Sequence, residues 1–219
     1  AFRASCSVPV LWPPIRHQGH MLVDGAMTNP DPLIRIAALQ AIYAAPPELR
    51  PLIGSGLLSD PVRAVRAQAA LTFVDSRDLL PLDASRAYAA AAEEYRRSLL
   101  ATASLPESMT VLSDFEFRMG DNGQTIEYLR HAIRLDPNLA VSRHSYGLAL
   151  VRERRYDEAL VELERAYELE PGNARFAYVY AAALNSLGMV DEAMAVLDKA
   201  HRDFPDNAEI SSFWQSLRQ

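Results

Sequence analysis

The residue types that do covalent or metal chemistry stand apart from one another in this chain. His17 and His20 are three residues apart, but their surroundings do not read as helix and no third ligand stands nearby. They are expected as exposed polar residues rather than a metal site. His131, His144 and His201 are widely separated and share no ligand spacing. Cys6 is the single cysteine, which excludes an internal disulfide and any Cys-x-x-Cys metal or haem-attachment site. The Gly54-Ser55-Gly56 triplet lacks the Gly-x-Ser-x-Gly spacing that places a nucleophilic serine on a strand-to-helix turn, and it reads as a helix break. Glu158, Glu162, Glu164, Glu168 and Glu170 read as one solvated helix face. No cofactor and no metal are expected.

The elements that must position any site are legible from composition and period. The 219 residues are 49% apolar and 23% charged, enough for a core and too apolar for wholesale disorder. No apolar run approaches the roughly 20 residues of a membrane helix. A formal charge of −6 argues against nucleic-acid binding through bulk electrostatics. The first residues do not read as a signal peptide, since Arg3 is followed by Pro9, Pro13 and Pro14 rather than by an apolar core. Composition leaves the compartment open.

A repeat carries the strongest signal. Pro137, Pro171 and Pro205 are 34 residues apart, and Ala132, Ala166 and Ala200 stand five residues before them. Leu129, Leu163 and Leu197 stand eight before, and Thr125, Ala159 and Ala193 twelve before. The period, the small residues at fixed offsets and the closing proline resemble the tetratricopeptide repeat (TPR) family. That resemblance implies three pairs of antiparallel helices over residues 106–139, 140–173 and 174–207. Gly147 and Ala159 are small where two helices must approach, with Leu150 and Leu163 alongside. Each proline follows a helix that it cannot continue, and Asn173 and Asn207 then stand as N-caps. The helical apolar stripe Ile210, Phe213, Trp214 and Leu217 reads as a capping helix over 208–219.

A second repeat precedes the first. Asn29-Pro30-Asp31-Pro32-Leu33-Ile34-Arg35 aligns with Asp60-Pro61-Val62-Arg63-Ala64-Val65-Arg66, each leading into an Ala-rich helix. A polar cap, an early proline, an Arg and an Ala-rich helix resemble HEAT repeats, expected over residues 29–80. Glu48 to Leu58 supplies a partner helix weakened by Gly54 and Gly56. Residues 81–105 read as a connecting helix. The order of HEAT-like repeats, long helix and TPR resembles the C-terminal region of some bacterial multihaem cytochrome proteins, and only in its scaffold.

Residues 1–28 do not fit a helical repeat. Ala4-Ser5-Cys6-Ser7-Val8-Pro9, Trp12-Pro13-Pro14 and Asp24-Gly25-Ala26 resemble the late catalytic segment of patatin-like phospholipases. The resemblance implies a Ser–Asp dyad with Asp24 as its general base. The nucleophilic serine elbow is missing, so the chain alone is not expected to be an enzyme. The segment reads either as the tail of a hydrolase extending upstream of Ala1 or as a junction.

The expected fold is therefore all-α, a right-handed α-solenoid of HEAT-like and TPR helix pairs behind a short non-helical segment. In TPR arrays the first helices line a concave surface where peptides or partner helices dock. In this chain the resemblance places Thr110, Asp114, Phe117 and Arg118, then His144, Leu148, Val151 and Arg152, then Arg175, Tyr178, Asn185 and Ser186 along that surface. Arg118, His144, Arg152, Arg175, Tyr178 and Asn185 are the expected groove, suited to a protein or peptide partner of acidic character. The expected function is a non-catalytic interaction scaffold. The alternatives are an accessory C-terminal module of a larger enzyme, lipid hydrolase or electron-transfer protein, and an array that mediates self-association.

Overall fold

The computed structural model describes residues 27–218 and, as backbone, residues 15–17 and 20–22. The Asp24 turn and most of the patatin-like stretch lie outside the described residues. The chain divides into two compact units, Ala1–Ala101 and Thr102–Gln219. The fold class is all-α, with a single described hairpin of β1 (Ile15–His17) and β2 (His20–Leu22), paired antiparallel with His17 opposite His20.

The first unit is built on α1 (Pro32–Tyr43), α2 (Arg50–Gly54), α3 (Arg63–Phe73) and α4 (Leu82–Leu100). Asn29 accepts from the Asp31 N–H at 2.9 Å, and its counterpart Asp60 accepts from the Val62 N–H at 2.8 Å, while Asp31 alone also caps α1 by accepting from the Leu33 N–H. The two arginines repeat as closely. Arg35 donates to the carbonyls of Asn29 and Pro30, and Arg66 to those of Asp60 and Pro61. Each then reaches forward to an acid. Arg35 Nε and Nη2 hold Asp60 at 2.7 and 3.0 Å, and Arg66 holds Glu94 on α4 at 2.7 and 2.8 Å. The hydrogen bond from Arg66 holds the Glu94 carboxyl below its usual range.

Between the two repeats the helix stops early. α2 gives way at Ser55 to a 3-10 segment, Ser55–Ser59, as the two glycines predict. Gly54 is also closely packed, since a Cβ there would lie 2.7 Å from Ile42 Cδ1, the mobile end of that side chain. The long helix α4 is a packed element of this unit rather than a bare connector. Its Tyr88, Ala91 and Ala92 are buried, and it lies against α3.

The second unit holds α5 (Pro106–Met119), α6 (Asn122–Leu135), α7 (Ala140–Arg152), α8 (Tyr156–Leu169), α9 (Ala174–Ser186), α10 (Val190–Asp203) and α11 (Ala208–Leu217). First helices start at 106, 140, 174 and 208, and second helices at 122, 156 and 190. Asn173 and Asn207 cap their helices through side-chain oxygens that accept from Arg175 N–H and Ile210 N–H. Close approach explains the small residues. A Cβ on Gly147 would meet Leu163 Cγ at 2.6 Å and the Ala159 carbonyl at 3.2 Å. Thr125, standing where the other units have Ala, is accommodated because its hydroxyl donates to the Asp121 carbonyl at 2.8 Å. α11 packs Ile210 into the last pair, and Trp214 stacks on His201 while donating to Asp198.

Candidate functional site

The first helices α5, α7 and α9 stand side by side, and between α7 and α9 the packing leaves a cleft of about 450 Å³. Its walls are Leu148 and Val151 from α7, Val179 and Leu187 from α9 and the turn after it, and Tyr156 at the start of α8. Ala159, Ala182 and Ala183 keep its interior free of bulk. Val151, Tyr156 and Leu187 are more than one-third exposed, which marks a wet apolar surface rather than a closed core. A second hollow of about 510 Å³ lies by Tyr178, Ser212, Phe213 and Ser216, where α9 meets α11.

The six residues expected to form the groove do not share one environment. Arg118 pairs with Asp114 on its own helix at 3.9 Å. Arg152 lies over the Phe117 ring at 4.9 Å and donates to the Phe117 carbonyl, tying α7 to the end of α5. Arg175 is exposed at the start of α9. Tyr178 packs edge-on against Phe213 at 5.6 Å and lines the second hollow, while Asn185 is half-buried. Its neighbour Tyr180 is a core residue, its hydroxyl donating to Glu164 and its pKa pushed up to about 12 by burial and by that charge.

His144 is placed differently from a groove residue. It is 6% exposed and stacks on Phe176 at 4.5 Å, joining α7 to α9. Neither ring nitrogen has a hydrogen-bond partner. Burial, with the Arg175 charge as a smaller cause, lowers its pKa to about 4, so the ring is neutral at ordinary pH. Tyr156, Val179, Ala183 and Leu187 line the cleft and were not among the expected groove residues. The available signal was two large apolar residues, Tyr156 and Leu187, standing in polar helix-to-helix turns. Asp24 lies outside the described residues. Among the described residues no three His, Cys, Asp or Glu side chains come together as a metal site, and no helix is long and apolar enough to cross a membrane.

Sequence profiles of the tetratricopeptide repeat match residues 106–139 and 150–215. Among solved structures, a crystal structure of MamA is 18% identical with a TM-score of 0.52, over 80% of this chain and 92% of its own. A second MamA crystal structure is 20% identical with a TM-score of 0.50, over 85% and 90%. The first TPR of Spaghetti (RPAP3), solved bound to the HSP90 peptide SRMEEVD, is 18% identical with a TM-score of 0.48, over 52% and 93%. The likeness to the two MamA structures describes the fold alone. With the 34-residue helix period and the matched profiles together, the chain carries tetratricopeptide repeats over residues 106–139 and 150–215.

Proposed function

We propose that this protein is a non-catalytic interaction scaffold that takes an extended peptide or a partner helix along the face formed by α5, α7 and α9. The observation that carries the reading is the apolar cleft between α7 and α9, open to solvent and lined by residues of two successive repeats. A cleft of this kind accepts one or two large side chains, while the flanking helices offer polar contacts to the rest of a bound segment. Arg152 and Arg175 stand exposed on the same helices and favour carboxylates on the partner.

The test is a binding measurement with peptides selected on the full chain from a phage-displayed random library. Val151→Asp combined with Leu187→Asp, both at partly exposed positions, should abolish binding while helix content by circular dichroism is unchanged. Arg152→Ala with Arg175→Ala should weaken acidic peptides about tenfold. Full binding by the Asp variant would contradict the assignment of the cleft.

A further inference from the structure

The turn between α7 and α8 differs from its two counterparts in backbone and in charge. At the fifteenth residue of each repeat the chain is left-handed, with Gly120 at φ 87°, Arg154 at φ 60° and Gly188 at φ 80°. Glycine adopts that region freely, whereas a residue with a Cβ is strained there by about 1–2 kcal/mol. Arginine thus stands where both sister turns use glycine, and strain retained at an exposed turn points to a role outside folding.

The charges point the same way. Arg152, Arg154 and Arg155 crowd this turn around Glu153, while the equivalent Ser186-Leu187-Gly188-Met189 has no cation. The turn Arg118-Met119-Gly120-Asp121 has one arginine, already paired with Asp114. Within the α7–α8 turn, Arg155 is neutralised by Glu158 through two hydrogen bonds of 2.7 Å, and Glu153 accepts from Asn122. Arg152 is spread over the Phe117 ring. Among the described residues neither Arg152 nor Arg154 has a carboxylate partner. The turn is bounded by Val151 and Tyr156, and both of these line the apolar cleft.

We propose that the α7–α8 turn and the cleft beside it read one kind of partner segment, a large aliphatic or aromatic side chain flanked by Asp or Glu. The apolar side chain fills the space among Leu148, Val151, Tyr156, Val179 and Leu187. The neighbouring carboxylates accept N–H donors from Arg154 and Arg152. In a chain of net charge −6 this local basic turn gives short-range selectivity for a segment that the whole protein would otherwise repel. Two guanidinium groups without carboxylate partners suit several side-chain carboxylates better than the single carboxylate of a chain terminus. The inference rests on the reading of the α5–α7–α9 face as a peptide-binding surface.

The experiment pans a phage-displayed library of random dodecapeptides, whose C-termini are fused and therefore carry no free carboxylate, on the full chain. Enriched sequences are expected to hold Leu, Ile, Phe or Trp with Asp or Glu within three residues. Arg154→Gly restores the residue of the sister turns, so the fold is kept. It should weaken an enriched fluorescein-labelled peptide about fivefold and flatten the salt dependence of its binding. Enriched peptides with no acidic bias, bound equally by Arg154→Gly, would overturn this inference and leave the peptide-binding reading standing. Enrichment that survives Val151→Asp with Leu187→Asp, or no enrichment at all, would overturn both.

Discussion

The two units solve one problem, the register of repeated helices, by opposite physics. In Ala1–Ala101 the repeats are tied by arginines reaching from one repeat to a carboxylate ahead, Arg35 to Asp60 and Arg66 to Glu94. In Thr102–Gln219 the two helices of a repeat are held in register by the fit of small residues against large ones, as Gly147 on α7 against Leu163 on α8. A charge ladder specifies register because a misplaced buried arginine has no partner. A packed interface does so because close contact tolerates no extra atom. The first unit should therefore be sensitive to neutralising a single charge, the second to adding a single methyl group.

The largest expected effect comes from breaking the buried rung. The side chains of Arg35 and Asp60 are 9% and 4% exposed, so Asp60→Ala leaves a buried guanidinium unpaired. It should lower the stability of α1 and α3 by about 3–5 kcal/mol, read as lost hydrogen-exchange protection. Arg66 and Glu94 are more open, and Glu94→Gln should cost far less.

In the second unit His144 makes stability depend on pH. Its folded pKa of about 4 lies below the ordinary 6.5, so the unfolded chain takes up a proton first as pH falls. Stability is complete above pH 6.5, declines as pH drops through that value, and stops declining below about 4. Between pH 7 and pH 5 the loss should be about 2 kcal/mol. His144→Phe should abolish that part of the pH dependence in chemical denaturation, and an unchanged profile would contradict the placement of the ring against Phe176.

Paired glycine substitutions sharpen the contrast further. Gly147→Ala would meet the branch point of Leu163 and a backbone carbonyl, and should cost about 1–2 kcal/mol in thermal unfolding. Gly54→Ala meets the far end of Ile42, which can turn aside, with Phe73 in ordinary contact at 3.4 Å, and should cost less than about 1 kcal/mol. The smallest effect has the opposite sign. Arg154→Gly relieves the left-handed strain and should raise stability by up to about 1 kcal/mol.

The helix periods were legible because Pro137, Pro171 and Pro205, with the alanines and leucines before them, are local consequences of helix geometry. The likeness of Asn29–Arg35 to Asp60–Arg66 was legible for the same reason, in its polar caps and prolines. Its ladder was not, because Arg35 finds Asp60 across 25 residues and no periodicity announces that contact. His144 was read as a groove residue because Thr110 and Tyr178 share its place in the sister repeats. Its burial comes from Phe176 of the next repeat, a large ring at the position where Thr110 meets the small Ser142 one junction earlier. The cleft was half legible. Leu148, Val151 and Ser186 were expected on the face, whereas Val179, Ala183 and Leu187 also line the cleft.

The central claim concerns the cleft, and methyl-labelled NMR of the full chain titrated with a selected peptide tests it most directly. The account predicts shifts centred on the methyl groups of Leu148, Val151, Val179 and Leu187. Shifts that spare those four and gather instead on exposed leucines of the first unit, such as Leu33 and Leu52, would contradict it.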